Sequence, residues 1–233
     1  MPVFLHPNRK GFPSLRFVSE DGLLAIGGDL SPERLVTAYS RGIFPWYSEG
    51  TPILWWTPPE RCMLRPDEVH IPRSLRRVIN SRRFSVTVDT AFASVIKQCA
   101  RSPRPGQTGT WIVPEMAAAY RTLHEAGYAH SVEARLDGEL VGGLYGVAMG
   151  RAFFGESMFF TAPDASKVCF VWLARLLRYW NYSLIDCQQV TENLLRFGAY
   201  PVTRETFMKA LAAALQVPRG PRRWVMPEGF FPL

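Results

Sequence analysis

Residues 129–160 read AHSVEARLDGELVGGLYGVAMGRAFFGESMFF. Three runs of apolar and β-branched residues are separated by two tight-turn signals, "LDGE" and "MGR". This predicts a meander of three antiparallel strands. On the upstream side lie a strand, "FSVTVDT", a helix, "AFASVIKQCA", with Thr90 placed to cap it, a loop, "RSPRPGQTG", and an amphipathic helix, "PEMAAAYRTLHEAGY". On the downstream side come a helix, "DASKVCFVWLARLLRYWN", starting near Asp164 or Ser166, a strand, "YSLIDCQQ", a short helix, "VTENLLRF", a further strand and a last helix, "TRETFMKALAAAL", near Thr203.

From residue 85 onward the order implies an α+β domain with a mixed, largely antiparallel sheet flanked by helices. GNAT-type acyltransferases have this order, and other α+β folds share it. Residues 1–62 form a smaller unit, rich in Gly, Pro and Trp. Within it Ser31 and Pro32 begin a helix, Leu35, Ala38 and Tyr39 line one of its faces, and Gly42 ends it. "ILWWTPPE" is a strand closed by prolines. We therefore expect a small N-terminal α+β domain, 1–62, and a larger domain, 63–233.

The chain has 233 residues, 47% of them apolar, enough for a substantial core. Its four cysteines, Cys62, Cys99, Cys169 and Cys187, are widely spaced, and four scattered histidines give no metal-ligand pattern. The cysteines read as reduced, small apolar residues, and no metal or cofactor is expected. "MPVFLHPNRKG" has prolines and charge where a signal peptide needs an apolar core. No apolar run approaches the ~18 residues of a membrane span. A cytoplasmic monomer is expected.

The net charge of +7 comes entirely from residues 63–233. Arginine outnumbers lysine 23 to 4. Guanidinium forks suit phosphates, but a GC-rich genome produces the same bias. The run "RSLRRVINSRR", residues 73–83, carries Arg73, Arg76, Arg77, Arg82 and Arg83 and no acid. It is either a solvated helix face or a phosphate-binding surface.

There is no GxSxG elbow, no GxGxxG and no GxxxxGK, which removes those hydrolase and nucleotide-binding classes. Gly142 and Gly143 mark a bulge or a close backbone approach, to a ligand or to packing. In "FFGESMFF" strand alternation puts Glu156 on the apolar face of Phe154, Met158 and Phe160, unless Gly155 marks a bulge. The acid is either paired with an arginine at a rim or held in an apolar pocket to meet an amine. In "LIDCQ", Asp186 and Gln188 share a strand face, able to hold an incoming nucleophile, and Cys187 points away. Trp111, Leu144, Phe153, Phe170 and Leu173 supply either core or pocket walls.

The motifs "GLLAIGGDL", "AYSRGIFPW", "ILWWTPPER", "GTWI", "AHSVEA", "LVGGLYGV", "FFGESMFF", "ASK" and "LIDCQ" together resemble the leucyl/phenylalanyl-tRNA–protein transferase family nearly end to end. The resemblance implies transfer of Leu or Phe, sometimes Met, from aminoacyl-tRNA to proteins that begin with Arg or Lys, marking them for degradation. It also implies a GNAT-like second domain, a cytoplasmic location and no metal.

Carried over motif by motif, Glu156 resembles the acid near the acceptor amine. Asp186 and Gln188 resemble the pair that orients and activates it. Trp111, Leu144 and Phe153 resemble the side-chain pocket, which Gly155, Ser157, Met158 and Phe170 adjoin. Leu173 and Leu177 match pocket positions that are often phenylalanine in the family. Trp46, Trp55 and Trp56 resemble residues near the tRNA 3′ adenosine. Arg76, Arg77, Arg82 and Arg83 fall at tRNA-backbone positions of the family, and Arg73 adjoins them as a further expected tRNA contact. The chain departs from the family pattern at Phe160, where serine is usual, and at Asn193 and Arg196.

Overall fold

The computed structural model describes residues 3–7, 11–102 and 110–233. Most of the expected loop "RSPRPGQTG" lies outside them. The elements run β1 (Val3–Leu5), β2 (Leu23–Gly27), α1 (Pro32–Tyr39), β3 (Phe44–Pro45), β4 (Leu54–Trp56), β5 (Glu60–Leu64), α2 (Arg73–Asn80), β6 (Ser85–Val88), α3 (Phe92–Arg101) and α4 (Pro114–Glu125). Then come β7 (Ala129–Leu136), β8 (Glu139–Met149), β9 (Ala152–Phe160), α5 (Ala165–Tyr179), β10 (Leu184–Gln188), α6 (Glu192–Arg196), β11 (Tyr200–Thr203) and α7 (Arg204–Leu215).

Two sheets form. The smaller has the order β1-β2-β4-β3, and the larger β11-β5-β10-β9-β8-β7-β6. The larger is mixed: β7, β8 and β9 are the predicted antiparallel meander, while β9 and β10 run parallel. One of its faces packs against α3, α4, α7 and the N-terminal elements, with Tyr39, Trp55, Tyr120, Phe154 and Phe207 in a continuous core. The other packs against α2 and α5, around Phe153, Leu173, Leu177 and Trp224. The sheet is thus covered on both sides, and its central strands are apolar on both faces.

The expected division at residue 62 falls inside β5, which belongs to the larger sheet. Thr90 does not cap α3. Ala91 holds the N-cap position, and the Thr90 hydroxyl donates to Glu133 Oε2 at 2.9 Å. Thr203 does cap α7, accepting from Thr206 N. At Gly142 an added Cβ would lie 2.6 Å from Ala165 Cβ and 2.9 Å from its carbonyl carbon. The close approach there is by the start of α5, so this glycine serves helix-on-sheet packing.

The alternation expected for "FFGESMFF" breaks. Tyr145 pairs with Ser157 but Gly146 pairs with Gly155, which leaves Glu156 as the extra residue of a β-bulge. Phe154 and Phe159 therefore share one core layer, while Phe153 and Met158 lie in the other. Glu156 stays on the side of Phe154. Met158 does not, because the bulge reverses its face, and Phe160 is exposed.

Candidate active site

β9 and β10 stay in register only as far as Phe154 opposite Asp186. Beyond that point they part. Gly155, Glu156, Ser157 and Met158 on one strand and Cys187 and Gln188 on the other line the gap, which opens into two adjoining cavities. The end of a parallel strand pair is a natural binding crevice, because both strands stop sealing it there. The inner cavity, about 230 Å³, is walled by Leu144, Phe153, Met158, Phe170, Leu173 and Ile185. The outer, about 260 Å³, is walled by Phe44, Pro45, Trp46 and Trp111. Glu156 lies on the wall of both.

Three side chains donate to Glu156. The Tyr39 hydroxyl reaches Oε1 at 2.7 Å, Tyr120 reaches Oε2 at 3.0 Å, and Gln188 Nε2 reaches Oε1 at 2.8 Å. Tyr39 and Tyr120 also touch each other through their hydroxyls. Those three oxygen–oxygen contacts need three protons, and the two phenols carry only two. A proton on Glu156 completes the ring by donating to one phenol, which then turns its own hydrogen to the other; when Glu156 is ionised both phenols donate to it. Burial pushes the Glu156 carboxyl up to about 7, against the two tyrosine hydrogen bonds that lower it. The tyrosines are fully buried, and burial beside Glu156 pushes both phenols well above their ordinary value, so they remain donors. The carboxyl is thus set to hold or release one proton near neutrality.

Asp186 is fully buried, and its carboxylate is committed elsewhere. Arg61 Nε donates to Oδ1 at 3.0 Å and its Nη2 to Oδ2, while the backbone N–H of Gln188 donates to Oδ1 at 2.8 Å. Arg61 is itself clamped between the rings of Phe44 and Phe207 and donates to Gly42 O at 3.0 Å. Gln188 takes a left-handed backbone, φ 60°, at a register shift between β10 and β5. A side chain rarely tolerates that conformation, and here the Asp186–Gln188 N–H bond holds it. Asp186 therefore orients the residue whose amide meets Glu156.

Of the expected site residues, Glu156, Asp186 and Gln188 come together. Leu144, Phe153, Gly155, Ser157, Met158, Phe170 and Leu173 line the inner cavity, and Trp46 and Trp111 the outer. Trp56 lines a third cavity next to Gln188, with Trp46, Asp21 and Glu60. Four expectations need correction: Trp111 lines the outer cavity rather than the side-chain pocket, Cys187 lines both cavities rather than pointing away, and two further residues are core. Trp55 is fully buried, with its indole N–H donating to Gly27 O at 2.8 Å, so it is core and lines neither cavity. Leu177 is fully buried one turn beyond Leu173 and lines neither cavity.

Arg73, Arg76, Arg77, Arg82 and Arg83 are all exposed. α5 adds Arg175 and Arg178 to this surface: burial first, and then the charges of Arg178 and Arg76, lower the Arg175 guanidinium from its ordinary value. Another cavity, about 500 Å³, lies between α2, α5 and the C-terminal Phe230 and Phe231, and no carboxyl lines it. Sequence reasoning missed Arg61 and Tyr120, and it placed Tyr39 only as a core face. All three are distant in sequence from Glu156 and Asp186, and no spacing announces them.

The family profile described as "Leucyl/phenylalanyl-tRNA protein transferase" matches residues 63–212, and that of its N-terminal domain matches residues 28–59. A protein of that name from Oleidesulfovibrio alaskensis is 58% identical over 100% of this chain and 96% of its own length. One from Myxococcus xanthus is 55% identical over 96% of this chain and 97% of its own. A solved structure of FemX overlays with a TM-score of 0.49 at 12% identity, over 74% of this chain and 66% of that one. The profiles and the close relatives together show that the chain belongs to the leucyl/phenylalanyl-tRNA protein transferase family.

Proposed function

We propose that this protein transfers Leu or Phe, and also Met, from aminoacyl-tRNA to the N-terminal Arg or Lys of acceptor proteins, which marks them for degradation in the cytoplasm. The observation that carries the reading is the position of Glu156, shared between an apolar cavity and an aromatic outer mouth. The inner cavity suits a side chain unbranched at Cβ. Trp46 and Trp111 suit the terminal adenosine, and the exposed arginines suit the tRNA backbone through phosphate contacts that carry no base readout. The third cavity, about 420 Å³, sets the carboxylates of Asp21 and Glu60 beside the indoles of Trp46 and Trp56. Negative charge with aromatic faces matches a cationic first side chain.

The donor ester is already activated, so the reaction needs alignment and a neutral amine. The amine attacks the ester carbonyl carbon. A C–N bond forms, the C–O bond to the ribose breaks, and the ribose oxygen leaves with a proton. An α-amine has a pKa of about 7.7–8.0. Glu156, at about 7, exchanges a proton with it at little cost. Gln188 orients the amine–carboxyl pair, and Asp186 holds Gln188.

The test is labelled Leu-tRNA with a peptide beginning Arg or Lys, run beside acetyl-CoA with the same peptide. Label should enter the peptide only from the tRNA. Acetylation without aminoacyl transfer would replace this reading with a small-molecule acetyltransferase.

A further inference from the structure

Cys62 and Cys187, distant in sequence, meet across two strands. β5 and β10 pair antiparallel, with Met63 opposite Asp186 and Cys62 opposite Gln188, so Cys187 is the extra residue of the bulge. The Cys187 S–H donates to the Cys62 sulfur. Cys62 is fully buried behind the wall, whereas Cys187 lines both the inner and the outer cavity. The cavities therefore give a small solute a route to the pair.

We propose that Cys62 and Cys187 form a redox-active dithiol in the wall of the candidate active site, which hydrogen peroxide converts to a disulfide. Access makes Cys187 the sulfur that peroxide meets, and the contact makes Cys62 the thiolate that resolves it. Donation from Cys187 holds the Cys62 thiol below its ordinary value, and the same bond raises Cys187. The Cys187 sulfur, as its thiolate, attacks one peroxide oxygen; an S–O bond forms, the O–O bond breaks, and the hydroxide takes a proton and leaves as water. The Cys62 thiolate then attacks the sulfenic sulfur. The S–S bond forms, the S–O bond breaks, and a second water leaves. Two thiols and one peroxide give one disulfide and two waters.

Cross-strand neighbours hold their Cβ atoms about 4.5–5.5 Å apart, against about 3.5–4.5 Å in a disulfide. Closing that gap draws the bulge toward β5. The bulge carries Gln188, whose amide holds Glu156. Misplacing a positioning group by about an ångström costs on the order of 10²-fold in rate. Oxidation should therefore silence the site, and a dithiol reductant should restore it. Disulfides of this kind in reducing compartments are transient and regulatory.

The experiment treats the full chain with hydrogen peroxide, alkylates the remaining thiols, digests without reductant and maps cross-linked peptides by mass. The expected product joins Cys62 to Cys187 and lacks two hydrogens relative to the separate peptides. Leu or Phe transfer falls by on the order of 10²-fold and returns with dithiothreitol. Cys62→Ala and Cys62→Ser give no cross-link and keep most of their transfer at the same peroxide dose. The proposal is overturned if both thiols stay open to alkylation, if the cross-link forms without loss of transfer, or if the Cys62 variants are inactivated as fast as the parent. The cross-link is read by mass alone, so a failure of the proposed transfer activity is told apart from a failure of the dithiol.

Discussion

The Tyr39 hydroxyl donates to Glu156 Oε1 at 2.7 Å, across 117 positions of sequence. That bond ties the N-terminal helix α1 to the bulge of β9, so the N-terminal unit completes the site rather than merely flanking it. A hydrogen bond to an ionised group contributes about 1.5–3 kcal/mol, equivalent to about one to two pKa units. Tyr39→Phe and Tyr120→Phe should each move the Glu156 ionisation above about 7. The acidic limb of the pH profile of kcat/KM should shift upward by that amount. A limb that stays in place in both variants would separate Glu156 from the proton transfer.

Glu156 also imposes a pH-dependent load on folding. Its carboxyl is raised from an ordinary 4.5 to about 7. Between those values the folded chain keeps a proton that the unfolded chain has released, so stability falls as pH rises through this window and levels off above it. The loss is at most ~3 kcal/mol, and less because the carboxyl is only part-buried. Glu156→Gln should raise Tm at pH 8, leave it nearly unchanged at pH 4, and abolish most transfer. Equal Tm differences at the two pH values would contradict the assignment.

Arg61 and Asp186 form a buried, bidentate pair behind Gln188. Removing one partner strands the other charge, at about 3–5 kcal/mol. Arg61→Met alone should lower the urea midpoint sharply. Arg61→Met combined with Asp186→Leu should recover much of the stability but not the transfer, because the Gln188 N–H loses its acceptor.

The two substrates should respond to different charges. Reversing Arg76 and Arg77 should raise KM for aminoacyl-tRNA and flatten its salt dependence by roughly one logarithmic unit of slope per lost phosphate contact. Asp21→Asn with Glu60→Gln should instead raise KM for a peptide beginning Arg, leaving KM for the tRNA in place. Equal effects on both substrates would dissolve the assignment of separate surfaces.

Leu173→Phe should narrow the inner cavity and favour Leu over Phe as the transferred residue. Fit of one methylene counts for about 1–3 kcal/mol, or 10–200-fold. Transfer of Val as readily as Leu by the unaltered chain would show that the cavity does not read branching at Cβ.

The sequence determined the elements and the order of the meander, because strand and helix periodicities and turn residues act over a few neighbours. It also named Glu156 and Gln188, since an acid among aromatics and an amide on an apolar strand stand out against their own surroundings. It could not say which way Met158 faces, because a single bulged residue reverses every side chain beyond it, and whether "FFGES" bulges is decided by pairing with β8. It could not foresee that Asp186 is spoken for by Arg61, that Trp55 is core, or that Tyr39 and Tyr120 both donate to Glu156. It read Cys62 and Cys187 as isolated, and strand pairing set one against the other. Each of these depends on contacts between residues far apart along the chain. Local chemistry specifies what a side chain can do, and only the packed sheet specifies which partner it meets.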